Sequence, residues 1–128
     1  MHVLEAVLYA EDLIAARQFY VEVLGMPEIR LDPERHLFLR CDSGVLIVFR
    51  ASKTQIHDSG VPPHGTVGMG HLAFSSTHDE IESWRRRLEA AGVPITEEIH
   101  WPNGAHSIYF DDPAGNVLEF ATPDLYGF

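Results

Sequence analysis

Three side chains stand where an apolar strand would ordinarily carry a hydrocarbon: Glu5 in VLEAV, His71 in MGHLAF and Glu119 in NVLEFA. Two carboxylates and an imidazole make a donor set for a divalent cation. A carboxylate held away from water without a partner is costly, because desolvation penalises its charged form. Two that converged beside an imidazole would repel each other, and a divalent cation between them removes the penalty for all three. Taken singly, each residue has a bland alternative. A strand glutamate usually faces water or pairs with an arginine, for which Arg40 and Arg50 are available. A strand histidine is more often a hydrogen-bonded core residue than a ligand. What favours the metal reading is the placement of these residues in an internal repeat.

The repeat has the order strand, helix, three strands, and it occurs twice. Residues 2–10 alternate as a strand, and Asp12 is the expected N-cap of a helix with Leu13, Ala16, Tyr20, Val23 and Leu24 on one face. Gly25 and Pro27 end it, and strands are expected near 28–32, 36–41 and 44–50, the last two joined at Asp42-Ser43-Gly44. Residues 68–76 then read as a strand, and Thr77-x-x-Glu80 is a capping box for a helix with Ile81, Trp84, Leu88 and Ala91 in a stripe. Gly92 and Pro94 end that helix, and strands follow near 95–100, 105–111 and 116–122, with a turn at Asp112-Pro113-Ala114-Gly115. In this alignment Glu5 matches His71, and Glu119 matches Val48 if one residue is inserted. Three of four matching places thus carry metal-ligand types.

A βαβββ unit covers one face of its sheet with its helix and leaves the other apolar face to be covered. The expectation is an α+β fold, one domain over 1–128, with repeat one at 1–50, a linker at 51–67 and repeat two at 68–128. The two units are expected to form a curved, mixed, eight-stranded sheet around a central cavity, a ready ligand site.

The segments EAVLYAEDLIAARQFYVEVLGM (5–26), GHLAFS (70–75) and YFDDPAGNVLEF (109–120) resemble the vicinal oxygen chelate superfamily of glyoxalases, bleomycin-resistance proteins and extradiol dioxygenases. The resemblance covers nearly the whole chain. It implies metal ligands at Glu5, where a histidine is commoner, at His71 and at Glu119. It also implies a catalytic role for Glu119 as a base that partly leaves the metal. The glyoxalase I and epimerase branches use a fourth ligand near the place of Val48, which cannot bind metal. One divalent ion is implied, among manganese, magnesium, zinc, nickel and iron. The hard, oxygen-rich set turns preference away from an oxygen-activating iron site. The implied function is a glyoxalase-like metalloenzyme acting on a small oxygenated molecule by isomerase, lyase or ring- or epoxide-opening chemistry. The alternatives are a drug-sequestering protein of the bleomycin-resistance kind and an extradiol-type dioxygenase. A homodimer is implied as well.

Nineteen acids against nine bases give a formal net charge of −10, which disfavours nucleic acid as a partner. No apolar run approaches the roughly 20 residues of a membrane span. The first residues lack the basic, apolar pattern of a secretory signal, so a cytoplasmic protein is expected. Cys41 is the only cysteine, which excludes an intrachain disulfide, and a buried inert thiol is expected. Arg85, Arg86 and Arg87 are expected to fan across the solvated side of their helix. His36 and His106 precede strands that look equivalent in the two repeats. With Trp101, Tyr109 and Arg50 they are candidate rim residues, and Phe38 and Phe110 suggest an apolar substrate body.

Overall fold

The computed structural model describes residues 1–58 and 60–128; Ser59, inside the expected linker, lies outside the described residues. The chain forms two compact units, Met1–Gly70 and His71–Phe128.

The first unit holds β1 (Glu5–Tyr9), α1 (Leu13–Arg17), β2 (Glu28–Asp32), β3 (His36–Cys41), β4 (Gly44–Phe49) and a one-turn helix α2 (Ala51–Thr54). Its sheet has the order β1-β4-β3-β2, with β1 parallel to β4 and the other pairs antiparallel. Asp12 caps α1 by accepting a hydrogen bond from the Ala15 amide at 2.9 Å. From Gln18 to Val23 the helix widens into a π turn, with the Leu24 amide donating to the Phe19 carbonyl five residues back. This extra residue per turn changes which side chains face the sheet. Phe19 joins Leu13, Ala16, Tyr20 and Leu24 in the core, while Val23 is only half-buried. Under α1 lie Leu37, Leu39, Leu46 and Val48, alternating along β3 and β4 and almost wholly buried. The front of the expected linker therefore belongs to the first unit: Ala51 and Thr54 of α2 are buried.

The second unit holds β5 (His71–Ser75), α3 (His78–Ala90), β6 (Glu97–His100), β7 (His106–Asp111), β8 (Val117–Ala121) and a final 3-10 turn at Pro123–Tyr126. The order β5-β8-β7-β6 repeats that of the first sheet, again with one parallel pair. Among the described residues the ladders make two four-stranded mixed sheets, each with the βαβββ connectivity. Thr77 and Glu80 form the capping box at α3 in both directions. Ile81 and Leu88 are fully buried, and Trp84 stacks on Phe120 with ring centroids 4.3 Å apart. Ala91, expected in the stripe, is exposed because α3 ends one residue before it. Gly25 and Gly92 have φ of 75° and 73°, the left-handed conformation that ends each helix.

Arg85 departs from the expected solvated fan. It reaches down from α3 to Glu98 on β6 at 2.5 Å and to Glu82 at 3.2 Å. Cys41 is half-buried, and burial pushes its thiol pKa up. Among the described residues no helix is long and apolar enough to cross a membrane.

Candidate metal centre

Each sheet has a helix-bearing face and a helix-free face, and alternation along the strands decides which residues share a face. In the second unit Phe120 takes the stacked Trp84 of α3, so its ladder partner Ile108 faces the helix too. The neighbouring places point the other way. Glu119, paired with Tyr109 and Ala73, lies on the helix-free face, and so does His71, paired with Val117.

These residues are in contact. His71 Nε2 lies 3.3 Å from Glu119 Oε2. His71 Nδ1 lies 3.0 Å from the Val117 carbonyl oxygen, which can only accept, so Nδ1 carries a hydrogen and donates it. In its neutral form the ring presents a lone pair from Nε2 toward a carboxylate oxygen. Two acceptors facing each other need a proton or a cation between them. Glu119 is 5% exposed, and its other oxygen, Oε1, is buried without a hydrogen-bond partner among the described residues. His71 keeps 53% of its side chain exposed, which leaves an entry path. This donor pair with an orphaned oxygen fits a metal better than it fits an ordinary core.

The surroundings extend the pair. The Tyr109 ring stacks toward His71 at 6.2 Å. Burial first, then hydrogen bonding to Glu119 and its charge, push the Tyr109 phenol pKa up, so the phenol keeps its proton and donates it. Trp101 Nε1 donates to Ser107 Oγ at 2.9 Å on the same face. Tyr109 and Trp101, read from sequence as rim residues, thus reach Glu119 directly and the same face through Ser107.

Glu5 stands in the first unit, exposed, at the start of β1. It pairs with Val45 as His71 pairs with Val117, so the ladders confirm that Glu5 and His71 hold matching places on helix-free faces. The other expected match is corrected. The Cys41–Gly44 pair closes on the two residues Asp42 and Ser43, whereas Asp111–Val117 spans five, 112–116. The longer turn absorbs the extra residue, so Val45, Leu46 and Ile47 match Val117, Leu118 and Glu119 without a gap. The counterpart of Glu119 is Ile47, and Val48 lies under the helix. Ile47 offers no ligand either.

A second letter match fails in the same way. His36 pairs with Phe49 on the helix-free face of the first sheet, while His106 shares the helix-bearing face of the second with Ile108. Arg50 is not held for Glu119: its guanidinium takes Glu11 at 3.3 Å and Glu34 at 2.9 Å. Phe110 is fully buried in the helix-side core and lines no site on the opposite face.

The helix-free face of the first sheet has a different character. His36 stacks near Phe38 at 4.5 Å, Phe49 meets His64 at 4.9 Å, and the Tyr9 hydroxyl lies 2.7 Å from His64 Nδ1. His36 Nε2 is buried without a hydrogen-bond partner among the described residues, and burial lowers the pKa of that ring. His64 is itself exposed and belongs to the segment expected as a linker. Its amide donates to the Thr54 carbonyl at 3.0 Å, which folds the linker back over these rings.

One further cluster was missed. Glu98, His100 and His106 bring three ligand atoms within 4.8 Å of one another. The signal was present in the spacing: Glu98 and His100 are two apart on one strand, opposite a histidine on the next.

A model of the Glyoxalase/Bleomycin resistance protein/Dioxygenase superfamily matches residues 2–120. A crystal structure of lactoylglutathione lyase from Agrobacterium tumefaciens is 36% identical, with a TM-score of 0.95 over 99% of this chain and 97% of that one. A glyoxalase-related enzyme from Fulvimarina pelagi is 27% identical, with a TM-score of 0.74 over 95% of this chain and 88% of that one. Metallothiol transferase FosB of Bacillus licheniformis is 28% identical over 89 residues, 66% of this chain. The chain spans 52% of the length of that curated relative. With its repeated βαβββ units and a family match over most of its length, the chain belongs to the glyoxalase/bleomycin resistance protein/dioxygenase superfamily.

Proposed function

We propose that this chain is a metal-dependent enzyme in which His71, Glu119 and Glu5 hold one divalent cation that takes a small substrate through two adjacent oxygens. The observation that carries the reading is the facing of His71 Nε2 and Glu119 Oε2 at 3.3 Å, beside a buried Glu119 Oε1 with no partner among the described residues. Glu5 is the third donor that the family resemblance implies, and it holds on β1 the place that His71 holds on β5. Such a cation supplies Lewis acidity toward substrate oxygens and stabilises negative charge that develops on them.

The protein groups have separate tasks. The Val117 carbonyl fixes the His71 tautomer, so that Nε2 is the free nitrogen. The Tyr109 phenol donates to the Glu119 carboxylate and holds it in place. Glu119 then accepts a proton from substrate carbon next to a bound oxygen, the base role carried over from the family. Lactoylglutathione lyase among the similar proteins supports lyase or isomerase chemistry of this kind. The metallothiol transferase keeps group transfer as the second chemistry in reach. Ile47 at the fourth matching place leaves three protein donors, a set with open positions for substrate.

A binding protein without turnover is the second reading, favoured by the net charge of −10, which suits a cationic drug. The experiment that separates the readings is metal analysis of untagged protein, followed by titration of chelator-stripped protein with manganese and zinc. One ion per chain that is lost in Glu119→Gln and weakened in Glu5→Ala, apart from any ion that both variants keep, supports the enzyme. Binding that ignores both substitutions ends the proposal. Metal-free protein that still takes up a cationic drug supports sequestration.

A further inference from the structure

The second sheet carries a cluster on its other face. His106 lies in register with His100, and Glu98 with Ile108, all on the face that α3 covers. Residues directly opposite on antiparallel strands have their Cβ atoms about 5 Å apart, so the two imidazoles are held together by the backbone. Their rings stack with centroids 4.2 Å apart at 19°. Both turn Nε2 toward one oxygen, Glu98 Oε1, at 2.7 Å from His106 and 3.6 Å from His100. Arg85 of α3 reaches the same oxygen at 2.5 Å.

We infer that Glu98, His100 and His106 form a second cation site, selective for zinc or copper(II), on the helix-bearing face of the second sheet. Two imidazoles and one carboxylate are a borderline donor set that ranks these two ions above magnesium, manganese or calcium. The geometry is largely prepaid. Two ligands come from facing strands, and the third lies two residues away on the same face. His106 keeps only 12% of its side chain exposed, which makes the inner wall, whereas His100 keeps 76% and gives the ion its way in. A cation takes an imidazole Nε2 as a lone pair, with the hydrogen of the neutral ring held at Nδ1. Arg85 has a second acid, Glu82, at 3.2 Å to keep when Glu98 turns to the ion. The site ties β6, the last strand of its sheet, to β7. It shares no residue with the centre at His71 and Glu119, and it stands if that reading fails.

Zinc titration of chelator-stripped protein, followed by calorimetry with a competing chelator, tests the site in four forms: unaltered, His100→Ala, Glu119→Gln and the double variant. Two zinc ions are expected for the unaltered chain, one for each single variant and none for the double. If the unaltered chain binds one ion that His100→Ala removes and Glu119→Gln spares, the second site stands and the first reading falls. If His100→Ala leaves stoichiometry and affinity as they were, the inference is overturned. His100 is exposed at an edge, so its replacement leaves the core intact. Glu98→Gln is the second probe, with an expected loss of at least about tenfold in zinc affinity, equal to about 1.4 kcal/mol. An unchanged affinity there also overturns the inference. Zinc should raise the unfolding midpoint of Glu119→Gln but not of the double variant.

Discussion

The two units share a backbone plan and differ in what their helix-free faces carry. Along matching ladder places, Glu5 stands against His71, Phe38 against Tyr109, Ile47 against Glu119 and Phe49 against Ala121. At their centres the helix-bearing faces stay alike: Leu46 and Leu118 are both buried to about 1% or less. A packed helix–sheet interface tolerates few side-chain types, because volume and polarity are both constrained. The helix-free face is where chemistry can diverge without loss of the fold. The first unit fills it with rings, Tyr9, His36, Phe38, Phe49 and His64, and the second places an imidazole against a buried carboxylate.

Exchanging the matched pair is the strongest way to break this contrast. Glu119→Ile should lower metal affinity by more than the roughly 10–100-fold typical of losing an outer partner. The same change should make the metal-free protein more stable by roughly 1 kcal/mol or more, since it replaces a buried carboxylate with hydrocarbon. Ile47→Glu should destabilise by about 2 kcal/mol, because it buries a charge beside its apolar ladder neighbours Val7 and Phe38. Metal titration together with urea unfolding reads all three. If Glu119→Ile left metal affinity unchanged, the contrast between the faces would have no functional meaning.

Truncating the shared core should act on the two units alike. Leu46→Ala and Leu118→Ala should each cost roughly 2–5 kcal/mol in chemical denaturation. A loss confined to one unit would show that the sheets are not equivalently packed. The helix caps should have smaller effects. Thr77→Ala removes one arm of a reciprocal box and should cost about 1 kcal/mol, and Asp12→Ala, with a single capping bond, somewhat less.

The smallest difference concerns acid. Hydrogen bonds lower the pKa of Glu11 in the first unit, chiefly from Ser52. In the second unit the lowered groups are Glu80, through the Thr77 amide, Glu98, through Arg85, and Asp124, through Thr122. A carboxylate depressed in the folded chain stabilises it above its unfolded value and loses that contribution as pH falls through the folded one. Stability should therefore decline below about pH 4.5, and amide exchange should reveal the loss first in residues 71–128. Equal loss in both units would contradict this assignment.

Much of this was legible without coordinates. Alternation and helical stripes gave all eight strands and the two main helices, because each half-buried element prints its period on the chain. Asp12, Thr77, Gly25 and Gly92 marked helix ends whose backbone groups need those side chains or that left-handed conformation. The resemblance carried by 5–26, 70–75 and 109–120 named the family. Register was not legible. A one-residue difference in turn length moved the partner of Glu119 from Val48 to Ile47, and a slip of one place turns a side chain to the opposite face. The π turn that brings Phe19 into the core leaves no mark that a 3.6-residue period detects. The sequence by itself determined which elements form and which residue types could bind a cation. Only the tertiary structure decided that His71 meets Glu119, that Arg50 and Arg85 are taken by other acids, and that Glu98, His100 and His106 gather on the far face. Such meetings depend on ladder pairings between distant segments, and composition does not encode them.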